Sequence, residues 1–141
     1  MIGSGLIELG LLRGEVDELV ASGAVALFYP HGLGHLIGLT VHDAGGYPTG
    51  REPSSHPQSR YLRTDRPLEA GMITSVEPGV YFIDALLGDP ALRNQFIDEV
   101  VWSEVDALRG FGGIRIEDDV HITNAEPEVL SGDIAKPLRI G

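Results

Sequence analysis

Histidine and glutamate side chains stand at spacings that could hold a metal ion. His31 and His35 flank a Gly-Leu-Gly turn, His42 follows seven residues later, and Glu77 and Glu117 lie farther along the chain. The chain has no cysteine, so a metal would have to be held by imidazole and carboxylate groups. One imidazole with two glutamates is an oxygen-rich set, which suits manganese, and cobalt or zinc with less preference.

The spacing of His31 and His35 matches the zinc motif HExxH, but the motif itself is absent. Its second position is Gly32 instead of glutamate, and the glycines disfavour the helix that the motif requires. A glycine-rich turn can still present one imidazole to a metal and the other to a second group. A surface loop with two histidines is an equally good interpretation.

Glu77 lies in the apolar run 72–83, directly before Pro78. Burying a carboxylate among apolar neighbours is costly unless it is paired or ligates a metal, so its surroundings favour a functional role. The alternative is a glutamate on an edge strand, facing water.

Arg115 and Glu117 stand two residues apart in a predicted strand, so their side chains would share one face. The commoner interpretation of this pattern is a solvated ion pair on an amphipathic strand. His42 and Arg63, each taken alone, are typical of ordinary core or surface positions. We assign no chemistry to the remaining polar candidates: His56, His121, Asp118 and Asp119.

The amino-terminal segment that precedes these residues has a helical pattern. Apolar residues at helical spacing predict helices over 2–22, divided near Gly10 and Gly14 and ended by Gly23. In the later half of the chain, the spacing of Ser103 and Asp106 predicts a further helix start, with Gly110 closing that helix.

The segments that carry the candidate residues have strand or irregular patterns. The β-forming run 72–83 predicts a strand broken at Pro78-Gly79, and the run 114–123 predicts another. The segment 27–48 is dense in glycine, which predicts unusual backbone conformations or a close approach to another part of the chain.

The composition excludes several classes of protein. The chain has 141 residues, with 10 Lys and Arg against 21 Asp and Glu, so its formal net charge is −11. Such a balance disfavours nucleic-acid binding, which needs a basic surface. No apolar run reaches the roughly 18 residues of a membrane span, and no basic segment precedes the early apolar stretch. We therefore expect a globular chain of one domain at most, in the cytoplasm, with no membrane or nucleic-acid partner.

The order of the motifs is more specific than any one of them, and it resembles a known family. The chain is similar to the Xaa-Pro dipeptidase (prolidase) family, above all its bacterial members, in the group that includes aminopeptidase P and methionine aminopeptidase. The similarity covers at least residues 27–123, in PHGLGH at 30–35, VHDAGGYP at 41–48, YLRT at 61–64, GMITSVEPGVYF at 71–82 and FGGIRIEDDV at 111–120.

The resemblance implies a fold, a reaction and a ligand set. The fold would be the α/β (α+β) pita-bread fold with a curved antiparallel sheet. The reaction would be hydrolysis of dipeptides with a C-terminal proline at a pair of divalent ions, usually Mn²⁺, in a protein that often forms homodimers. His35, Glu77 and Glu117 would be metal ligands, with Glu77 near the nucleophilic water and Glu117 bridging both ions.

The resemblance also implies roles for residues around the metals. His42 would contact the substrate near the scissile bond, and His31 would line the pocket. Arg63 would pair with the C-terminal carboxylate of the dipeptide, and Arg115 would support Glu117 and the site.

One part of the family pattern does not match. The two aspartate ligands of the family lie on a strand hairpin upstream of the HGxGH histidine, whereas only Asp17 precedes His35 here, in a predicted helix. We therefore expect residues 1–141 to be the C-terminal part of the catalytic domain, without the aspartate hairpin or the N-terminal domain. On this hypothesis the chain alone binds metal weakly, hydrolyses little and leaves strand edges unpaired.

Two alternative functions stay open. A non-catalytic pita-bread remnant could bind a peptide or protein partner, although it would have no need of all three ligands. An Xaa-Pro aminopeptidase acting on longer peptides would keep the metal site, but Arg63 in YLRT favours the dipeptidase.

Overall fold

The protein is a mixture of short helices and short strands in a computed structural model that describes residues 1–136. The helices are α1 (Ile2–Glu8), α2 (Val16–Ser22), α3 (Asp84–Leu87), α4 (Pro90–Gln95) and α5 (Trp102–Ala107), with 3₁₀ turns at Ala24–Leu27 and Pro57–Ser59. The strands are β1 (Leu36–Ile37), β2 (Ile73–Val76), β3 (Gly79–Phe82), β4 (Gly112–Arg115), β5 (Asp118–His121) and β6 (Glu128–Val129).

The chain divides into two compact units. The helical unit comprises Met1–His31, Ser55–Arg60 and Gly79–Ile114. The sheet unit comprises Gly32–Ser54, Tyr61–Pro78 and the described chain from Arg115 onward.

The first two helices of the helical unit confirm the sequence pattern over residues 2–22. Gly10 and Gly14, with φ of 73° and 120°, lie between α1 and α2. Gly23 ends α2 in the left-handed conformation, with φ of 89°, and its amide donates to the Val20 carbonyl. A residue with a side chain rarely adopts such a φ, which explains glycine at this helix end.

The hydrophobic core lies in the helical unit. Phe28 and Phe82 meet there edge to face, with ring centroids 5.9 Å apart. The core residues are Leu6, Leu11, Leu12, Leu19, Ala24, Val25, Leu27, Phe28, Phe82, Leu87, Phe96, Val100 and Val105.

The predicted helix start at Ser103 is wrong. Helix α5 begins at Trp102 after Val101, whose side chain makes no capping hydrogen bond, and it ends at Ala107, before Gly110. Asp106 instead accepts two hydrogen bonds of 2.8 Å from the Arg93 guanidinium. That guanidinium also lies 4.3 Å from the centre of the Trp102 ring.

The sheet unit contains a four-stranded antiparallel sheet in the order β1-β2-β5-β6. The predicted break at Pro78-Gly79 is confirmed, because β2 ends at Val76 and β3 begins at Gly79. The prediction of a single strand over 114–123 is wrong, because the structure has two strands there, β4 and β5, separated by residues 116–117. Helices with antiparallel strands confirm the predicted α+β class.

The buried side chains of the sheet unit are polar, in contrast to the core of the helical unit. Within its described residues they are His35, Thr74, Ser75 and Glu77. Buried polar groups are stable only when they are hydrogen-bonded, so the contacts of these four side chains determine what the unit can do. In residues 1–136, no helix has the length and apolar character needed to cross a membrane.

Candidate metal centre

The segment that carries His35 lies along strand β2. The Ser75 amide donates to the His35 carbonyl over 2.9 Å, and the Glu77 amide donates to the Leu33 carbonyl over 2.7 Å. These bonds continue the antiparallel pairing of β1 with β2, in which Leu36 lies opposite Thr74. The backbone at Leu33 and His35 is therefore hydrogen-bonded to β2, and His35 is buried instead of lying in a surface loop.

Gly34 explains part of the glycine density in this segment. A Cβ atom at Gly34 would lie 1.8 Å from the carbonyl oxygen of Ser75. The same holds at Gly45, where a Cβ atom would lie 2.1 Å from Oγ1 of Thr64. The predicted close approach to another part of the chain is thus confirmed at these two positions.

The His35 imidazole is oriented by its own neighbour. Its Nδ1 atom lies 3.1 Å from the Leu36 carbonyl oxygen, which can only accept a hydrogen bond. Nδ1 therefore carries a proton, and in the neutral ring the lone pair belongs to Nε2. A carbonyl that accepts from one ring nitrogen fixes the tautomer of histidine ligands in many metal sites.

The carboxylate of Glu77 is buried and bound on both oxygens. Its Oε1 atom accepts from the Ser75 hydroxyl over 3.0 Å and lies 3.2 Å from Nε2 of His35. Its Oε2 atom lies 2.8 Å from Nη1 of Arg115. The alternative of an edge glutamate facing water is wrong, because Glu77 is only 6% exposed.

Glu117 completes a group of three metal-ligating side chains. Strands β2 and β5 are antiparallel, with Val76 opposite Asp118. Glu77 comes directly after Val76 and Glu117 directly before Asp118, so the two glutamates lie at the same end of the strand pair. One ligand atom from each of His35, Glu77 and Glu117 lies within 4.8 Å of the others. His35 and Glu77 are buried and Glu117 is exposed, so the group opens to solvent on the Glu117 side.

This donor set fits a divalent cation. Nε2 of His35 and Oε1 of Glu77 face each other at 3.2 Å, an arrangement that requires a proton or a metal ion between two lone pairs. Imidazole with carboxylates suits Mn²⁺, Co²⁺ and Zn²⁺. Three ligand residues suffice for one ion, whereas a pair of ions needs additional donors.

His42 lies beside this group. Its ring centroid is 4.4 Å from that of His35, at an interplanar angle of 63°, and its side chain is exposed. The turn before it is fixed by Asp43, whose carboxylate accepts from the Leu39 and Ala44 amides over 3.3 and 2.9 Å. The imidazole of His42 is therefore accessible to solvent beside the buried ring of His35.

The structure places His31 and Arg63 in other surroundings. His31 belongs to the helical unit, where its Nε2 atom lies 2.9 Å from the Tyr81 hydroxyl and its ring lies edge to face with Tyr29. Arg63 is exposed in the sheet unit, on a segment where Thr64 bridges to Gly46. The roles predicted for both residues stay predictions.

Arg115 forms an ion pair with Glu77, another member of the candidate group. The ion pair at its Nη1 atom is with Glu77, and Arg115 ends β4 while Glu117 lies between β4 and β5. The predicted alternation of a single strand through both residues is therefore interrupted. Support of Glu117 by Arg115 stays a prediction.

Ser75 is the residue that sequence reasoning missed. It precedes Glu77 by two residues, a spacing that places both side chains on one face of an extended chain. A serine among the apolar neighbours Ile73, Val76 and Val80 was the available signal.

Comparison with known proteins identifies the family. The model of metallopeptidase family M24 matches residues 6–124. The chain belongs to this family. The human Xaa-Pro dipeptidase is 48% identical over 130 residues, which are 89% of this chain and 26% of that protein. The Xaa-Pro dipeptidase of Xanthomonas euvesicatoria pv. vesicatoria is 47% identical over 132 residues, 89% of this chain and 29% of that protein.

A solved structure of another M24 enzyme has the same fold. Zinc-substituted aminopeptidase P of E. coli, in complex with product, superposes with a TM-score of 0.63 at 39% identity, over 96% of this chain and 24% of that chain. The pita-bread fold predicted from the resemblance is thereby confirmed. The chain spans 26% to 29% of the length of the two dipeptidases named above.

Proposed function

We propose that this chain forms the metal-binding part of a peptidase that hydrolyses Xaa-Pro dipeptides. The observation that supports it most strongly is the grouping of His35, Glu77 and Glu117 within 4.8 Å. The M24 relatives named Xaa-Pro dipeptidase support the substrate class. Residues 1–141 would be the C-terminal part of the catalytic domain, of which 137–141 lie outside the described residues.

The ligands would be Nε2 of His35, Oε1 of Glu77 and the carboxylate of Glu117. Mn²⁺ is the ion we expect, with Co²⁺ or Zn²⁺ as substitutes, and Glu117 would help to hold it. Such ions, when bound, lower the pKa of water and polarise the scissile carbonyl. Aminopeptidase P, a relative of 39% identity, has a zinc-substituted form, which supports zinc as a probe.

Glu77 would be the proton carrier of the reaction. Its carboxylate lies beside Nε2 of His35, with Oε1 at 3.2 Å, so Glu77 would be placed to accept a proton from an attacking water and pass it to the leaving proline nitrogen. The Arg115 guanidinium on Oε2 would hold the carboxylate in place. His42 would contact the substrate near the scissile bond, and His31 would line the pocket.

Arg63 would select dipeptides. A guanidinium binds a carboxylate through two parallel hydrogen bonds, and in a dipeptide that carboxylate follows directly after the proline. The second candidate function is an Xaa-Pro aminopeptidase for longer peptides, which the similarity to aminopeptidase P favours. A homodimer and a cytoplasmic location stay predictions.

The test is proline release from Gly-Pro by the Mn²⁺-loaded 141-residue chain. We expect slow, metal-dependent hydrolysis, because only three ligands of the family pattern are present. Glu117→Gln should abolish it, whereas Glu126→Gln, at an exposed position of the same unit, should not. Release by the metal-loaded chain no faster than by Glu117→Gln would contradict the proposal.

A further inference from the structure

The Ser75 hydroxyl connects the two buried members of the metal group. Ser75 lies in β2 and is 1% exposed. Its oxygen accepts from the His35 amide over 3.0 Å, and the hydroxyl reaches Oε1 of Glu77 over 3.0 Å. A longer contact of 3.5 Å joins the hydroxyl to the His35 carbonyl.

The single proton of this hydroxyl is donated to Glu77. The His35 carbonyl already accepts from the Ser75 amide over 2.9 Å and from the Thr74 hydroxyl over 3.1 Å. The 3.0 Å contact to a carboxylate oxygen is both shorter and charge-assisted. The hydroxyl is therefore an acceptor toward His35 and a donor toward Glu77.

We propose that Ser75 is a positioning residue of the metal centre. This inference rests on the proposed function, because it concerns the same ligands. The hydroxyl occupies one lone-pair direction of Oε1 of Glu77 and leaves the other for the space in front of Nε2 of His35. With Arg115 on Oε2, the carboxylate is held at both oxygens, and Oε1 is the oxygen presented to the ion.

The same hydroxyl fixes the backbone from which the imidazole projects. Removing it leaves the buried His35 amide without its acceptor and Oε1 of Glu77 without its donor. The side chains of His35 and Glu77 then have more conformational freedom, and metal binding must restrict it. Loss of outer contacts of this kind lowers metal affinity by about 10–100-fold.

Titration of the 141-residue chain with Co²⁺, followed by its visible absorption, tests this role. We expect Ser75→Ala to bind Co²⁺ about 10–100-fold more weakly and to alter the absorption bands. Thr74→Val is the matched control, since it removes a neighbouring buried hydroxyl that donates to backbone carbonyls, at His35 and Ser75, and to neither ligand side chain. The control should lose less affinity than Ser75→Ala and keep the wild-type absorption bands, because it leaves the hydrogen bond to Glu77 intact.

A second pair of variants covers a failure of Ser75→Ala to fold. Ser75→Thr and Ser75→Val have nearly equal volume and differ in the hydroxyl. Weaker Co²⁺ binding by Val than by Thr supports the role, and equal binding by the two overturns it.

The wild-type titration separates the two proposals. Wild-type affinity in Ser75→Ala overturns the positioning role and leaves the metal centre intact. Absence of Co²⁺ binding in the wild-type chain overturns the metal centre and the positioning role together.

Discussion

Nε2 of His35 lies 3.2 Å from Oε1 of Glu77, and both side chains are buried. Because Nδ1 of the same ring is committed to the Leu36 carbonyl, Nε2 is the nitrogen available to a cation. The carboxylate is in turn held by Ser75 and Arg115. The pair is thus oriented before any ion arrives, which reduces the ordering that binding requires.

Glu77→Gln should remove metal binding. The amide keeps the size of the side chain but loses the negative charge, so it is a poor ligand and no longer forms the ion pair with Arg115. We expect Mn²⁺ affinity, measured by titration calorimetry, to fall more than about 100-fold, beyond the loss typical of outer contacts. Glu52→Gln, at an exposed position of the same unit, is the control. Wild-type affinity in Glu77→Gln would exclude Glu77 as a ligand.

Arg115→Met should destabilise the metal-free chain more than the metal-loaded chain. It leaves a buried carboxylate without its cation, which costs about 1–3 kcal/mol, toward the lower end because the guanidinium is partly exposed. A bound divalent ion supplies a replacement charge to Glu77. Urea unfolding with and without saturating Zn²⁺ measures the loss of unfolding free energy in each state. Equal losses in the two states would contradict an ion pair between Arg115 and Glu77 that the metal can replace.

Gly34→Ala should disrupt the pairing of the His35 segment with β2. The new Cβ atom would lie 1.8 Å from the Ser75 carbonyl oxygen, so backbone must move. We expect a loss of about 3 kcal/mol or more in the free energy of unfolding. Gly5→Ala is the control, because a Cβ atom at that position of α1 meets nothing within 4 Å. The control should gain about 0.5–1 kcal/mol, and similar effects of the two substitutions would refute the close approach.

Arg63→Ala should raise KM for dipeptides and leave KM for carboxyl-amidated analogues nearly unchanged. The reason is that the proposed guanidinium partner, the C-terminal carboxylate, is missing from the amide. Arg13→Ala, at an exposed position of the helical unit, is the control. Steady-state kinetics give KM for Gly-Pro and for its amide. An equal change of KM for both substrates would favour the aminopeptidase.

The Arg93–Asp106 ion pair should make the helical unit sensitive to acid. The hydrogen bonds from Arg93 lower the pKa of Asp106 below its ordinary 3.8. The unfolded chain therefore binds the proton first, so the stabilisation is present above about pH 3.8 and is lost as pH falls through the lowered pKa.

Urea unfolding as a function of pH measures this effect. Asp106→Asn should flatten the acid limb of the stability profile, and Asp98→Asn, at an exposed position of the same unit, should leave it unchanged. An unaltered acid limb in Asp106→Asn would show that the ion pair does not contribute.

The sequence predicted those elements whose signals are local. Glycine at positive φ ends α2 at Gly23, and Pro78-Gly79 interrupts the chain between β2 and β3. The grouping of His35, Glu77 and Glu117 came from motif order, because no local pattern relates three residues so far apart in the chain.

The features that could not be predicted from the sequence involve contacts between segments that are distant along the chain. Helix α5 begins at Trp102, and Arg93, which lies outside that helix, contacts both Asp106 and the Trp102 ring. Strand β1 is too short for a periodic signal, and it exists because β2 pairs with it. The role proposed for Ser75 depends on a contact with a distant segment, since its hydroxyl oxygen lies 3.0 Å from the His35 amide nitrogen.

The most direct test of the metal centre is the ¹⁵N spectrum of the histidine side chains during titration with Zn²⁺. Of the five histidines, His56 and His121 have no proposed role and serve as internal controls. We predict that Nε2 of His35 shifts to a metal-bound value while Nδ1 keeps its proton, with His56 and His121 unchanged. Saturation that leaves His35 unshifted, or that shifts His56 or His121 in its place, would contradict the account.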